Sequence, residues 1–304
     1  MRKLRTASSD LVQAEFTAAG CDGWTWAQIT GSPDTGCGVG GDRLVPTASM
    51  YKLHLLAAAC QAITTGALDP RARVTVGPLD GLRGAVGLGM FADPVELSVR
   101  DLMRQMVMVS DNVAAHRLST LLAPDSIDAL VTDLGLERTS IVVTAPERSS
   151  GSASSTTMEP GLSPLSGTAE EDAVLHVVSH PAADSDPAAF RSLSTARELC
   201  RTIDWFWEDG EDTARRLGRE ILGQQAWRHR VPSGFPATGV TFHGKTGTIG
   251  TFRGEVAVIT IDGESPFTVC VMTRAARFGG NLPGVDATIG RVARILVDDL
   301  RRST

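Results

Sequence analysis

Ser49 and Lys52 stand three residues apart in Ser49-Met50-Tyr51-Lys52, and Lys245 opens a second short run, Lys245-Thr246-Gly247-Thr248. Of the 29 basic residues in the chain only Lys3, Lys52 and Lys245 are lysines, so arginine fills nearly every place where a generic cation would serve. An ammonium can give up its proton when partly buried or set beside another cation, whereas a guanidinium cannot. Lysine at positions 52 and 245 therefore points to chemistry. On a helix beginning at Ser49, the side chain three positions on returns to the same face, about 5–6 Å away between Cβ atoms. A neutral Lys52 there can accept the serine proton, and the helix start aims backbone N–H groups at charge developing on a bound carbonyl oxygen. The tetrad alone fits an ordinary amphipathic helix equally well.

Two further elements change that balance. Ser110-Asp111-Asn112 follows at the end of the apolar run Leu102–Val109, where a hydroxyl and an amide two residues apart can face one cavity as proton relay and hydrogen-bonding group. Lys245-Thr246-Gly247-Thr248 lies just before an apolar strand and can itself be extended, so that alternating side chains face a cleft. Each could be a turn or a solvated strand end. The three in this order rarely arise together by accident.

The chain resembles the penicillin-recognising serine hydrolases, most of all their class A β-lactamase branch, whose three signature motifs are Ser-x-x-Lys, Ser-Asp-Asn and Lys-Thr-Gly. The resemblance covers roughly residues 20–145 and 190–300 and implies an α+β fold, an antiparallel sheet with flanking helices beside an all-α lobe. It implies Ser49 as the acylated nucleophile and Lys52 as general base or proton relay. Ser110 would protonate the leaving nitrogen, Asn112 would hold the substrate amide and Lys52, and Asp111 would order the turn. Lys245 would supply positive potential, Thr246 would bind a substrate carboxylate, and the N–H groups of Ser49 and Thr248 would form an oxyanion hole beside Gly247. Arg253 resembles a second carboxylate-binding cation, although a plain surface role suits an arginine as well.

One part departs from the family. Class A enzymes carry Glu-x-x-Leu-Asn on a loop after the Ser-Asp-Asn element, where the carboxylate activates the deacylating water. The nearest run here is Glu159-Pro160-Gly161-Leu162-Ser163, with serine in place of asparagine; Glu147 stands at a similar spacing but in unfitting surroundings. Glu159 is the better candidate of the two, and the third alternative is that neither activates the water. A poorly held water would spare acylation and slow deacylation, giving a slow hydrolase, an acyltransferase or a sensor.

These groups need a scaffold. Leu11, Val12, Phe16 and Ala19 suggest a helix closed by Gly20; Trp24 and Trp26 suggest a strand over 23–30, followed by a Gly-rich hairpin and a strand near 37–45. Helical patterns fill about 50–66, 98–109, 112–122, 125–134, 194–208 and 212–228. Glu255–Ile261 and Phe267–Thr273 read as strands joined at Asp262-Gly263, before a helix with Ile289, Val292, Leu296 and Leu300 on one face. The expected division is 1–46 with 232–304 as the sheet domain and 47–231 as the helical domain, with a Ser/Gly/Pro-rich loop at about 149–187.

A hydrophobic content of 42% supports a large core, while a net charge of −6 argues against nucleic acid or an anionic membrane as partner. The longest apolar stretch, Leu53 to Ala62, is too short to span a bilayer. No secretory signal is read at the N-terminus, so a cytoplasmic location is expected for the sequence as written, and a secreted one if a leader has been removed. The five cysteines form no metal-binding or disulfide pattern and read as small buried hydrophobes. No cofactor is expected, and the partner is a small-molecule acyl donor met by a monomer. Trp205, Phe206 and Trp207 read as core, and His243 could share a strand face with Lys245. The leading functional reading is a β-lactamase-like hydrolase. The alternatives are an intracellular esterase, amidase or transacylase on a non-β-lactam substrate, and a stably acylated penicillin-binding or sensor domain.

Overall fold

A computed structural model of the chain describes residues 3–77, 86–143, 191–208, 211–277 and 279–302. Five strands form one antiparallel sheet in the order β2-β1-β9-β8-β7, made of β1 (Cys21–Ile29), β2 (Ser32–Cys37), β7 (Val240–Ile249), β8 (Phe252–Ile261) and β9 (Phe267–Ala275). The β1–β9 ladder runs unbroken from Cys21 against Ala275 to Ile29 against Phe267, so both ends of the chain meet at the centre of the sheet. Two-stranded pairs, β3 (Val45–Pro46) with β6 (Leu193–Ser194) and β4 (Arg73–Val76) with β5 (Val95–Ser98), lie outside it.

The central strands are apolar at nearly every position because both faces of the sheet are covered. Side chains of a strand alternate between faces. Ala257, Ile259, Val269 and Val271 pack with Val12 and Phe16 of α1 (Thr6–Ala19) and with Ile289, Val292, Leu296 and Leu300 of α8 (Pro283–Arg301). Val256, Val258, Cys270 and Met272 turn the other way, into the core shared with α2 (Lys52–Thr64) and α6 (Ala196–Glu208). Helices α3 (Val99–Met108), α4 (Asn112–Ser119), α5 (Ser126–Asp133) and α7 (Thr213–Gly223) complete the helical side. Fully burying each such aliphatic side chain contributes about 1.5–3 kcal/mol before entropy is counted. All five cysteines are buried, and Trp205, Phe206 and Trp207 belong to this core.

Several sequence expectations shift. The second strand falls at Ser32–Cys37 and not near 37–45, because Gly31, at φ +74°, turns the chain immediately after β1. Gly38 instead passes tightly under Thr25, whose carbonyl oxygen would lie 2.0 Å from an added Cβ. Leu11 is exposed, so α1 buries a narrower stripe, Val12 and Phe16, than its spacing suggested. Helix α7 stops at Gly223, short of 228. The Ser/Gly/Pro-rich segment lies outside the described residues. No helix among the described residues is long and apolar enough to cross a membrane.

Candidate active site

Ser49 sits in a turn of 3₁₀-helix, Ala48–Tyr51, that runs directly into α2 at Lys52. In 3₁₀ geometry side chains three apart eclipse, so this first turn lines Ser49 up with Lys52 more closely than the α-helix expected from the spacing. Ala48 holds φ +46°, a left-handed backbone that costs a residue with a Cβ about 1–2 kcal/mol. Packing keeps it there: Thr47 N–H donates to Ser192 O at 2.9 Å, and Ala48, Met50 and Tyr51 are all buried.

Helix α3 ends at Met108, and Ser110 follows at φ +65°, where glycine is the usual residue after a helix. The reversal turns its hydroxyl toward the two lysines. Asp111 caps α4, its Oδ1 accepting from Val113 N–H (2.9 Å) and Ala114 N–H (3.1 Å) while its Oδ2 accepts from Leu88 N–H (2.6 Å). That second oxygen leaves no room for a side chain at Gly87, whose Cβ would lie 2.2 Å from it. Lys52 is completely buried; its Nζ donates to Asn112 Oδ1 (2.6 Å) and Ser110 O (2.6 Å), and lies 3.4 Å from Ser110 Oγ.

Strand β7 closes the third side. Gly247 has no space for a Cβ, which would meet Thr47 O at 2.7 Å, Met50 Cγ at 3.1 Å and Ala48 Cβ at 3.2 Å. Its bare backbone thus lets the strand press against the Ser49 turn. Lys245 is also completely buried, its Nζ donating to Ser110 Oγ (2.9 Å) and Thr246 O (2.8 Å). Burial first, then the neighbouring charges of Lys52 and Arg230, hold its pKa well below that of an ordinary lysine.

Ser49, Ser110, Thr246, Thr248 and Arg253 line a cleft of about 480 Å³. Arg253 is buried, not a surface residue: Nη1 donates to Asp286 (3.1 Å to Oδ2), and Nη2 to the carbonyls of Gly279 (2.6 Å) and Gly280 (3.1 Å). Beside it Arg230, absent from the sequence-based candidates, donates from Nε to Asp286 Oδ1 (2.7 Å) and from Nη1 to Gly247 O (2.7 Å) and Gly254 O (2.8 Å). Its Nη2 reaches Thr248 Oγ1 at 2.5 Å. Gly247 and Gly254 are ladder partners, so one guanidinium clamps both strands of the β7–β8 hairpin at the cleft edge. Among so many arginines neither Arg230 nor its counter-ion Asp286 carries a distinguishing sequence signal.

Lys52, Asn112, Lys245 and Gly247 stand directly behind the lining residues, so these candidates come together with the others. Glu159 and Glu147 lie outside the described residues. His243 does not join the cleft lining; it packs edge-on against Trp207, ring centroids 5.6 Å apart. Among the described residues no cluster of three His, Cys, Asp or Glu side chains could hold a metal ion.

This fold is that of the serine β-lactamases and penicillin-binding proteins. A β-lactamase from Burkholderia phymatum matches with a TM-score of 0.74 over 98% of this chain and 99% of its own, at 17% identity. A mutant of PBP-A, solved as an acyl-enzyme complex with penicillin G, matches at 0.72 over 99% and 98%, at 18% identity. The beta-lactamase enzyme family matches residues 7–300, and the chain belongs to it. It is also 27% identical over 279 residues to the beta-lactamase regulatory protein BlaB of Streptomyces cacaoi, which covers 87% of this chain and 88% of that relative.

Proposed function

We propose that the protein is a β-lactamase-like serine hydrolase that forms an acyl-enzyme on Ser49 with a β-lactam or a related amide or ester, and then hydrolyses it. The observation that carries this reading is the hydroxyl of Ser110, which joins both lysines at the rim of the cleft that Ser49 lines. In the first half-reaction Ser49 Oγ bonds to the acyl carbon as its proton passes to neutral Lys52. The carbonyl π pair moves onto oxygen, held by the N–H groups of Ser49 and Thr248. When the carbonyl re-forms, the bond to the leaving nitrogen or oxygen breaks, and that atom takes a proton from Ser110, which is resupplied by the lysines. Asn112 holds Lys52 and the substrate amide, while Thr246 and Arg253 receive an anionic group and Lys245, buried behind them, supplies positive potential. Water then adds to the acyl carbon and gives its proton to a loop carboxylate, Glu159 ahead of Glu147, releasing the acid and restoring Ser49.

A second reading is favoured by two observations. Asp286, the carboxylate that lines the cleft among the described residues, is committed to Arg230 and Arg253, and the similar protein from Streptomyces cacaoi is named as a regulatory protein. With slow deacylation the same site would be a sensor of acyl donors.

Time-resolved intact-protein mass spectrometry of wild type and Ser49→Ala with a penicillin and a cephalosporin tests both. A Ser49-dependent adduct that decays within a turnover supports the hydrolase, and one that persists for hours supports the sensor. Absence of any adduct, with the compounds left intact, sinks both and turns attention to an esterase, amidase or transacylase with another donor.

A further inference from the structure

Among the described residues the exposed large hydrophobic side chains are Leu11, Met90, Phe91 and Trp227, and of these Trp227 lines the cleft. A single exposed apolar side chain is ordinary on a protein surface. This one has company, because Val86 and Val109 line the same cleft. All three are tied to the neighbourhood of Ser110. Val109 precedes it in the chain; Leu88 N–H, two residues after Val86, donates to Asp111 Oδ2 at 2.6 Å; and Ala226 N–H donates to Met108 O at 2.9 Å. The three side chains form an apolar wall at the Ser110 end of the cleft. The indole meets His229 edge-on, ring centroids 6.5 Å apart, and His229 Nε2 lies 3.8 Å from Asp286 Oδ2. One imidazole thus joins the wall to the place where Arg230 and Arg253 share the carboxylate of Asp286. Two guanidiniums against one carboxylate favour an anion there, and an indole favours a flat apolar ring.

The chemistry assigns that ring to one side of the donor. When the acyl carbon bonds to Ser49 Oγ, its bond to the leaving atom breaks; that atom keeps the bonding pair and takes the Ser110 proton. The leaving fragment therefore begins at Ser110 and runs along the wall that Val109 opens. We propose that Trp227 is a specificity-determining residue that stacks on the leaving group of the acyl donor, and that the favoured leaving group is an aromatic ring bearing an anionic substituent. Aryl esters and anilides with a carboxylate on the ring are then the donors the cleft fits. The assignment to the leaving side rests on the acyl-transfer reading; the pairing of a ring site with an anion site does not.

Two phenylacetylglycine esters test this, one of 3-hydroxybenzoate and one of glycolate, which share the acyl group and an anion but differ in the ring. The quantity read is the ratio of their kcat/KM values, compared between proteins so that the reactivity of the leaving oxygen cancels. In Trp227→Ala the preference for the aromatic ester should fall about tenfold, the order expected for losing an aromatic contact, and Trp227→Phe should keep most of it. A merely structural loss lowers both donors together, so an unchanged ratio in Trp227→Ala overturns the proposal. If the variants do not fold, or if wild type is acylated by neither ester, calorimetry of wild type decides. Binding of 3-hydroxybenzoate about tenfold tighter than glycolate supports the ring site, and equal affinities, or no binding of 3-hydroxybenzoate, overturn it. Acylation by neither ester removes the acyl-transfer reading and leaves that comparison standing.

Discussion

Lys52 and Lys245, 193 residues apart in sequence, meet on a single hydroxyl: Ser110 Oγ lies 3.4 Å from Lys52 Nζ and 2.9 Å from Lys245 Nζ. A hydroxyl that both donates and accepts, set between the two amines, is a route by which a proton can pass from a charged lysine to a neutral one. Ser110→Ala should therefore lower acylation by about 10²–10⁴, the usual worth of a positioned acid–base group. Ser49→Ala should abolish the adduct altogether. Stopped-flow acylation with a chromogenic cephalosporin checks the first and mass spectrometry the second; acylation by Ser110→Ala at the wild-type rate would remove the relay.

Deacylation is expected to separate from acylation by mutation. Glu159→Ala should form the adduct at the wild-type rate and retain it at least a hundredfold longer, within the range for loss of a general base. An unchanged adduct lifetime in Glu159→Ala, with a long one in Glu147→Ala, would move the assignment to Glu147.

Gly247→Ala tests the close approach of β7 to the Ser49 turn. The new Cβ would meet the Thr47 carbonyl at 2.7 Å, and overpacking of a tight site costs about 1–3 kcal/mol. The strand has to move away from Ser49 to relieve it. Acylation should fall by about tenfold or more, since each 1.4 kcal/mol of lost alignment is a factor of ten, while the melting temperature drops only modestly. A variant with lower stability and undiminished acylation would separate that contact from function.

His54, completely buried on α2 with Nε2 3.2 Å from Thr202 Oγ1, is pushed down to a pKa of about 4 by its burial. Between about pH 6.5 and 4 the unfolded chain takes up a proton there that the folded one refuses, so this residue's contribution is present above pH 6.5 and lost as pH falls toward 4. The loss is on the order of 3 kcal/mol from a shift of about 2.5 units. Glu255 has the opposite sign: its folded pKa is raised from 4.5 to about 7, so its contribution declines as pH rises through that window. Urea unfolding of wild type and His54→Gln from about pH 4 to 7 isolates the histidine. The difference between the two proteins should change steadily with pH, and a flat difference contradicts the assignment.

Much of this arrangement was legible in the chain. Lysines so scarce marked two positions of the site before any fold was known, and the apolar runs after Glu255 and Phe267 gave the central strands because covered sheet faces leave little room for polar side chains. The helix closed at Gly20 was readable for the same local reason, a left-handed cap that glycine takes easily. What escaped was set by distant contacts. Arg230 acquires its role from carbonyls of Gly247 and Gly254 and from Asp286, none of them near it in sequence. Ser110 and Ala48 adopt backbone conformations their residue types disfavour, so no local preference could announce them. Glu255 did leave a trace, a carboxylate inside a mostly apolar strand, and only the fold identifies its partner, the N–H of Val231.

The ladder between Cys21–Ile29 and Phe267–Ala275 bears on how the protein is made. Strand β1 leaves the ribosome early and has no neighbour on one side until almost the whole chain has followed. Pairing over such a separation is slow, and an unpaired strand is open to misassembly. The helices between the strands can associate while synthesis continues, but Ser49 gains its facing strand only after Ile249 has emerged. A nascent chain thus carries the Ser49 turn without the wall that would complete it, and a translation product cut short before β7 should show none of the acylation proposed for Ser49.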